Sequence, residues 1–502
     1  MKKLCLLLAL CLLLSACGAG QKVQTPDCSQ GHTDEANDGF CDVCNALLFV
    51  FVDFYTLNDI HGKLNDASTH PGLDELSSYL EDSRDQDEHA IFLSTGDMWQ
   101  GASESNLTQG LIMTDWMNQM GFAAMALGNH EYDWGEEPVV ANEALAQFPL
   151  LAINVYDAQT NQQASYCESS TMVDLGQVQI GIIGAIGDCY SSISAEKVED
   201  VYFLTGSDLT RLVKAESEAL REKGADFIVY LLHDGNSSSK SVTVSDNQMK
   251  SYYDPSLSDG YIDLVFEGHT HQKYVQKDTH GVYHLQGGGD NDGITHVEIA
   301  INVANGKSKV QTAELVSTST YLGYEDHPVV DELMEKYADQ VDKGEELLGT
   351  NKTSRNGRFI CQLAADLYYE KGVELWGDDY DIALGGGFFQ LRSPGYLNAG
   401  KITYKMLYSI LPFDNNLVLC SIKGKDLRDR FFNTDNDRYY IGYGSYGEQL
   451  KKNIDPNGTY YVVVDSYTSQ YAPNRLTEIS RYEEEVFARD LLAEYVKKGG
   501  LK

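Results

Sequence analysis

Five apolar runs, each followed at once by a short polar motif, constrain this chain more than any other feature. The runs cover 47–57, 90–94, 123–127, 227–232 and 262–266. The motifs behind them are Asn58-Asp59-Ile60-His61-Gly62, Gly96-Asp97, Gly128-Asn129-His130-Glu131, His233 and Gly268-His269-Thr270-His271. Runs of this length, mostly rich in β-branched or aromatic residues, predict buried strands. In an open α/β sheet the positions just past the strand ends line one crevice, which is where such folds bind ligands. The pattern therefore brings Asp59, His61, Asp97, Asn129, His130, His233, His269 and His271 to a single rim.

That set of side chains suits two divalent metal ions. Imidazole matches Zn, Mn, Co or Fe, while carboxylate and amide oxygens also accept harder ions. One carboxylate shared between two ions sets the separation of about 3.5–4 Å used by two-metal hydrolases. The residue types leave the choice among those metals open, because occupancy follows availability as well as affinity.

The order Asp-x-His, Gly-Asp, Gly-Asn-His-Glu, His, Gly-His-x-His resembles the calcineurin-like metallophosphoesterases. Within them, Gly-Asn-His-Glu-Tyr-Asp at 128–133 and the Gly-Asp-x-x-x-Gly-x-x-x-Ser block at 96–105 are similar to the 5′-nucleotidase branch, which includes 2′,3′-cyclic nucleotide phosphodiesterases. The resemblance runs from residue 50 to about 480. It implies an α/β fold with a four-layer metallophosphoesterase sandwich domain, joined by a helix to a second, C-terminal 5′-nucleotidase-type α/β domain. It also implies that Asp59, His61, Asp97 and His271 hold one metal, and that Asp97, Asn129, His233 and His269 hold the other, with Asp97 bridging. His130 and Asp133 match the family's catalytic pair, which acts on transition-state charge without binding metal.

Strands alternate with helical patterns from about 48 to 318, for example the amphipathic segments 73–82 and 208–223. The stretch 290–313 reads as late strands around an Asn-Gly turn at 305–306. Segment 328–348 is helical in period and charged, and reads as an interdomain connector or as a surface helix of the first domain. The expected organisation is a leader at 1–17, a Cys/His-containing acidic linker at 18–47, the metallophosphoesterase domain at 48–318, a connector at 319–349 and a substrate-binding domain at 350–502.

In that second domain, 381–392, 402–404 and 411–413 are similar to the 5′-nucleotidase C-terminal domain. That family clamps a nucleobase between two aromatic rings, whose positions match Phe413 and Tyr467. The chain also departs from the pattern. Leu384 precedes the glycines where Asn is usual, and Phe389 stands where a phosphate-binding Arg is usual. Arg392, three residues on, is the candidate replacement, and Arg355 matches the family's other phosphate-binding Arg. The Gly-Gly-Asp-Gly that normally follows the second ring is replaced by residues 471–475.

Lys2 and Lys3 precede an apolar stretch at 4–14, too short to span a bilayer, and then Leu14-Ser15-Ala16-Cys17. This looks like a bacterial lipobox with Cys17 as the lipidated residue; an ordinary cleaved signal is the alternative. The expected location is the bacterial cell surface or periplasm, with membrane attachment only through the N-terminal lipid. The formal charge of −37 repels polyanions, so polymeric nucleic acid is excluded as a general partner. Cys28, His32, Cys41 and Cys44 form a Cys-x3-His, Cys-x2-Cys set with zinc-like spacing, although a spacer with one disulfide fits equally well. Cys167 and Cys189 are candidates for a disulfide, while Cys361 and Cys420 read as buried thiols.

The function expected from these features is an exported, lipid-anchored, two-metal phosphohydrolase that releases phosphate from nucleotides. The alternative substrates are 2′,3′-cyclic nucleotides, nucleotide-sugars and non-nucleotide phosphate esters. A surface ligand-binding protein that keeps the fold is the alternative from another class.

Overall fold

The computed structural model describes residues 32–35, 39–65, 71–236, 253–430 apart from 390 and 393, 440–442, 450, 452–471, and 475–501 apart from 483 and 485. Cys17 and Cys28 lie outside the described residues. All five apolar runs form strands, within a residue or two of the expected ends at most positions.

The first domain contains fourteen described strands in chain order: β1 (Phe49–Leu57), β2 (Ala90–Ser94), β3 (Ala124–Ala126), β4 (Leu150–Leu151), β5 (Val155–Asp157), β6 (Ser170–Asp174), β7 (Gln179–Ile186), β8 (Val201–Phe203), β9 (Phe227–His233), β10 (Leu264–Glu267), β11 (Lys273–Lys277), β12 (Tyr283–Gly287), β13 (Gly293–Asn302) and β14 (Ser308–Ser317). Two six-stranded sheets result, ordered β14-β13-β1-β2-β3-β4 and β11-β12-β10-β9-β7-β6. Within them β1, β2, β3 and β4 run parallel, as do β7, β9, β10 and β12, so their C-terminal ends share an edge.

The two sheets pack face to face, and strand alternation decides which side chains meet. Val50, Val52 and Phe54 of β1 and Phe227, Val229 and Leu231 of β9 lie in the core between them. The intervening Ile228, Tyr230 and Leu232 instead pack under the helix Gly206–Glu222, through its Leu209, Val213 and Leu220. Leu57 and Phe92 face the opposite outer layer, formed by helices Asp74–Gln86 and Leu111–Met120. The central strands are covered on both faces, which is why they read as continuous apolar runs. The architecture is helix, sheet, sheet, helix.

The charged stretch after β14 differs from a single connector helix. It forms helices Val329–Lys336 and Ala338–Val341, then the turn Asp342–Glu345. Val329, Val330, Leu333, Tyr337 and Val341 are buried in the first domain's core. The helical spacing was legible, but it belongs to a segment docked on that domain.

The second domain contains β15 (Leu347–Asn351), β16 (Ile382–Gly387), β17 (Gly400–Thr403), β18 (Leu417–Lys423), β19 (Tyr440–Gly442), β20 (Thr459–Asp465) and β21 (Leu476–Arg481). Its five-stranded sheet has the order β19-β16-β20-β18-β21, with β16 and β20 parallel. The helix Gly357–Trp376, capped by Asn356 accepting from Phe359 N at 3.0 Å, packs Ile360, Ala364 and Tyr368 on one face. Because β16 and β20 are neighbours and parallel, the segments leaving them, 388–389 and 466–471, emerge side by side, with Phe388 N donating to Thr468 Oγ1 at 2.9 Å. They emerge towards the first domain.

Candidate active site

Seven side chains meet at the shared edge of the first domain's strands. Asp59 and His61 follow β1, Asp97 follows β2, Asn129 follows β3, His233 ends β9, and His269 and His271 follow β10. His233 Nε2 is 3.1 Å from Asp97 Oδ2 and 3.2 Å from Asn129 Oδ1, and His269 Nδ1 is 2.8 Å from the same Asn129 oxygen. On the other side, His271 Nε2 is 3.2 Å from Asp59 Oδ1 and 3.1 Å from His61 Nε2. Asp59, His61 and His271 form one converging group, and Asp59, Asp97 and His233 another.

Local backbone geometry explains the glycines in the motifs. Gly96 has φ +95°, and a Cβ there would sit 2.6 Å from Gly128 N. At Gly128 a Cβ would lie 2.3 Å from Asp97 Oδ1. The two turns can therefore touch only without side chains. Asp59, His61, Asp97, His269 and His271 all have positive φ. Five non-glycine residues in the left-handed region at one locus is stored strain of the kind found at functional sites.

The donor chemistry fits bound metal. His61 Nδ1 bonds Gln100 O at 2.7 Å and His233 Nδ1 bonds Thr95 O at 2.6 Å, so each ring donates Nδ1–H to a carbonyl and turns Nε2 inward. Burial opposes but Asp97 outweighs it in raising the pKa of His233 to about 10, so a bound cation would take the place of its Nε2 proton. Burial, followed by the charges of Arg392 and His271, holds His61 well below its usual pKa and keeps the ring neutral. Burial pushes Asp97 up, but the facing His233 and His130 hold it well below the ordinary carboxylate range. Neutral imidazoles and ionised carboxylates are the ligand forms that divalent cations need.

Glu131 supports this arrangement, a role its motif did not reveal. Its buried carboxylate accepts the backbone N–H groups of Gly128 (2.7 Å), Asp97 (2.8 Å), Met98 (2.9 Å) and Trp99 (3.3 Å). It ties the β2 and β3 turns together. Asn58 does similar work, donating to Asp59 Oδ2 at 2.7 Å and accepting from Gly287 N at 2.9 Å.

His130 lies beside the ligands. Its backbone N–H donates to Asp97 Oδ1 at 2.8 Å, its Nδ1 meets Asp133 Oδ2 at 2.8 Å, and Arg392 Nη2 approaches its Nε2 at 2.8 Å. Burial lowers the proton affinity of His130, Asp133 and Asp97 raise it, and the result is a raised pKa. A proton on Nε2 would exclude the Arg392 contact, since both groups would then be donors. The contact thus belongs to the neutral ring, with its proton on Nδ1 towards Asp133.

A cavity of about 310 Å³ joins the two domains here. One wall carries Asp97, Asn129, His130, Asp133, His269 and His271; the other carries Phe388, Phe389, Arg392, Phe413 and Tyr467. Tyr467 stacks near Phe388, with centroids 6.3 Å apart and ring planes 21° apart, while Phe413 is 6.0 Å from His130. Arg392 also lies over the Phe413 ring at 5.5 Å. Phe388 was not among the expected residues; its only signal was its place directly after the β16 glycines. Arg355 is not among the cavity-lining residues. It pairs through its backbone with Leu397, and its guanidinium lies 4.4 Å from the Phe359 ring. Beside the cavity, Ala195 N donates to Gln470 Oε1 (2.7 Å) and Gln470 Nε2 donates to Ile193 O (3.0 Å), bridging the domains.

Cys167 and Cys189 do not form the expected disulfide. Both are buried thiols, Cys167 bonding Ala152 O and Ala164 O at 3.5 Å and Cys189 bonding His233 O at 2.8 Å. Cys361 and Cys420 are buried thiols outside any disulfide, as expected.

A family model described as calcineurin-like phosphoesterase matches residues 53–273, and one described as the 5′-nucleotidase C-terminal domain matches 345–444. Fold and site thus define a metal-dependent phosphoric ester hydrolase. The chain carries a calcineurin-like phosphoesterase domain followed by a 5′-nucleotidase C-terminal domain. It is 26% identical over 470 residues to protein UshA of Yersinia enterocolitica, covering 80% of this chain and 82% of that one. A 5′-nucleotidase from Diplobatis ommata is 22% identical over 466 residues, covering 81% and 76%. Among solved structures, a 5′-nucleotidase precursor from Thermus thermophilus superposes with a TM-score of 0.66 at 20% identity, covering 89% of this chain and 96% of that one.

Proposed function

We propose that the protein is an exported, lipid-anchored phosphohydrolase that releases phosphate from nucleotides, holding two divalent ions between Asp59, His61, Asp97 and His271 and between Asp97, Asn129, His233 and His269. The observation that carries this reading is the cavity, which sets the ligand cluster and His130 against Arg392 and the rings of Phe388, Phe389, Phe413 and Tyr467. Cys17 in its lipobox-like context is the attachment point in this proposal, and among the described residues no helix is long and apolar enough to cross a membrane.

When bound, the ions polarise the phosphoryl oxygens and lower the pKa of water, supplying the nucleophile. The remaining work falls to side chains. Asp133 fixes the His130 ring through Nδ1, leaving Nε2 to face the cavity. An entering phosphate displaces the contact between Arg392 and His130: Arg392 donates to the anion, and His130, protonated at Nε2, donates to the oxygen on which charge grows. Phe388, Phe413 and Tyr467 offer apolar faces for a base, with stacking worth about 1–3 kcal/mol. With Phe389 in the usual Arg position and Arg355 away from the cavity, phosphate recognition rests on Arg392. We extend the proposal on that ground to 2′,3′-cyclic nucleotides and nucleotide-sugars as secondary substrates.

The test is phosphate release from a panel of nucleoside monophosphates, cyclic nucleotides and sugar phosphates in the presence of Mn, Co or Zn. Release from nucleoside monophosphates is expected. No release from any member by metal-loaded protein would overturn the proposal.

A further inference from the structure

The segment ahead of β1 carries a second group of metal-type donors. Cys41, Cys44 and His32 place a ligand atom each within 4.8 Å of one another, with Cys44 Sγ 3.4 Å from His32 Nδ1. Nothing in the catalytic reading uses them. Phe49 begins β1 and Asp59 follows its far end, so the two groups are roughly 30 Å apart along the strand at about 3.3 Å per residue.

The backbone around the cysteines is arranged for a thiolate. The chain turns back between Phe40 and Leu47, which form a bridge, with Cys41 N donating to Ala46 O (2.9 Å), Asn45 N donating to Cys41 O (2.8 Å) and Asn45 at φ 56°. Cys41 is buried, and the backbone N–H groups of Cys44, Val43 and Thr33 point at its sulfur. The segment carrying His32 is fixed to this turn by Asp42 N donating to Thr33 O (2.9 Å) and Glu35 N donating to Asp42 Oδ2 (2.7 Å). Gly39 O then accepts from Leu48 N and Phe49 N, fastening the unit to the start of β1. A segment this short has no hydrophobic core of its own, and a metal is the usual staple for such a unit.

We infer that His32, Cys41 and Cys44 bind a structural zinc ion that clips the N-terminal segment to the first strand, separately from the catalytic centre. Zinc takes four donors and favours thiolate and imidazole.

Cobalt substitution of the full chain, with metal analysis, tests this. The assigned catalytic ligands supply only nitrogen and oxygen, but Cys189 comes within 4.8 Å of the His233 and His269 ligand atoms, so the part of the thiolate-to-cobalt absorption that reports the N-terminal site is the part removed by replacing Cys41 and Cys44. Wild type should show that part of the band, and the Cys41→Ser/Cys44→Ser variant should lose it together with one metal ion per chain. Turnover of a small phosphate ester should stay within about twofold of wild type, which separates this result from any failure of the catalytic reading. An unchanged band and metal content in the double variant would overturn the inference. So would a Cys41–Cys44 disulfide, with no metal at these residues, in the protein as isolated.

Discussion

Glu131→Gln tests how the site is held together. The side chain accepts four backbone N–H groups, two on each oxygen: Met98 and Trp99 on Oε1, Gly128 and Asp97 on Oε2. All four donors aim at oxygen, so the ionised form fits the site even though burial and the charge of Asp97 raise the group's pKa. Glutamine keeps the shape but presents its amide –NH2 to one of the two pairs. Two buried N–H groups then lose their acceptor, at about 1–3 kcal/mol each, or roughly 2–6 kcal/mol. That is a large part of the total stability of an ordinary domain. The loosened turns also carry Asp97, so metal affinity should fall by about 10–100-fold, as when other groups supporting metal ligands are removed. Urea unfolding followed by tryptophan fluorescence is suited to the measurement, because Trp99 and Trp116 are fully buried in this domain. A variant within about 0.5 kcal/mol of wild type and with unchanged metal affinity would refute the reasoning, since surface-like substitutions behave that way.

Other consequences are equally concrete. Asp97→Asn should remove the shared negative charge and lower metal occupancy, as read by metal analysis of the purified variant. Replacing Phe413 and Tyr467 together by Ala should raise KM for nucleotides while sparing a small chromogenic phosphate ester; equal losses on both would mark the rings as structural. His284 is buried between Glu267 (2.8 Å) and Asp278 (3.8 Å), and burial opposes but their charges outweigh it, raising its pKa to about 9. The stability it contributes is therefore fully present below pH ~6.5 and lost as pH rises through about 9. Urea midpoints across that window should fall more steeply for wild type than for His284→Gln.

Much of this was legible because central strands covered on both faces must be apolar throughout, and polar residues that end them stand out. Asp59, His61, Asp97, Asn129, His233, His269 and His271 could be placed on one rim for that reason alone. Glu131 was visible within its motif, yet its partners are backbone N–H groups from two separate turns, which no side-chain pattern encodes. Arg355 matched a family position, but its surroundings depend on how the chain after Asn351 folds back against Leu397. The proposed Cys167–Cys189 pair failed for a related reason: neighbouring strands do not fix where thiols on their loops point. Periodicity in 328–348 registered an apolar stripe but not the breaks at Tyr337 and Asp342, where packing on the first domain interrupts the helix.

The most direct test of the account is turnover of His130→Ala with its metal content measured on the same sample. His130 donates its backbone N–H to Asp97, its ring stands edge-on to His61 with centroids 5.3 Å apart, and that ring faces the cavity without being assigned as a ligand. The account predicts phosphate release slowed by roughly 10²–10⁴-fold at unchanged metal content, the loss expected for a group acting in the transition state. Near wild-type turnover in that variant would contradict it.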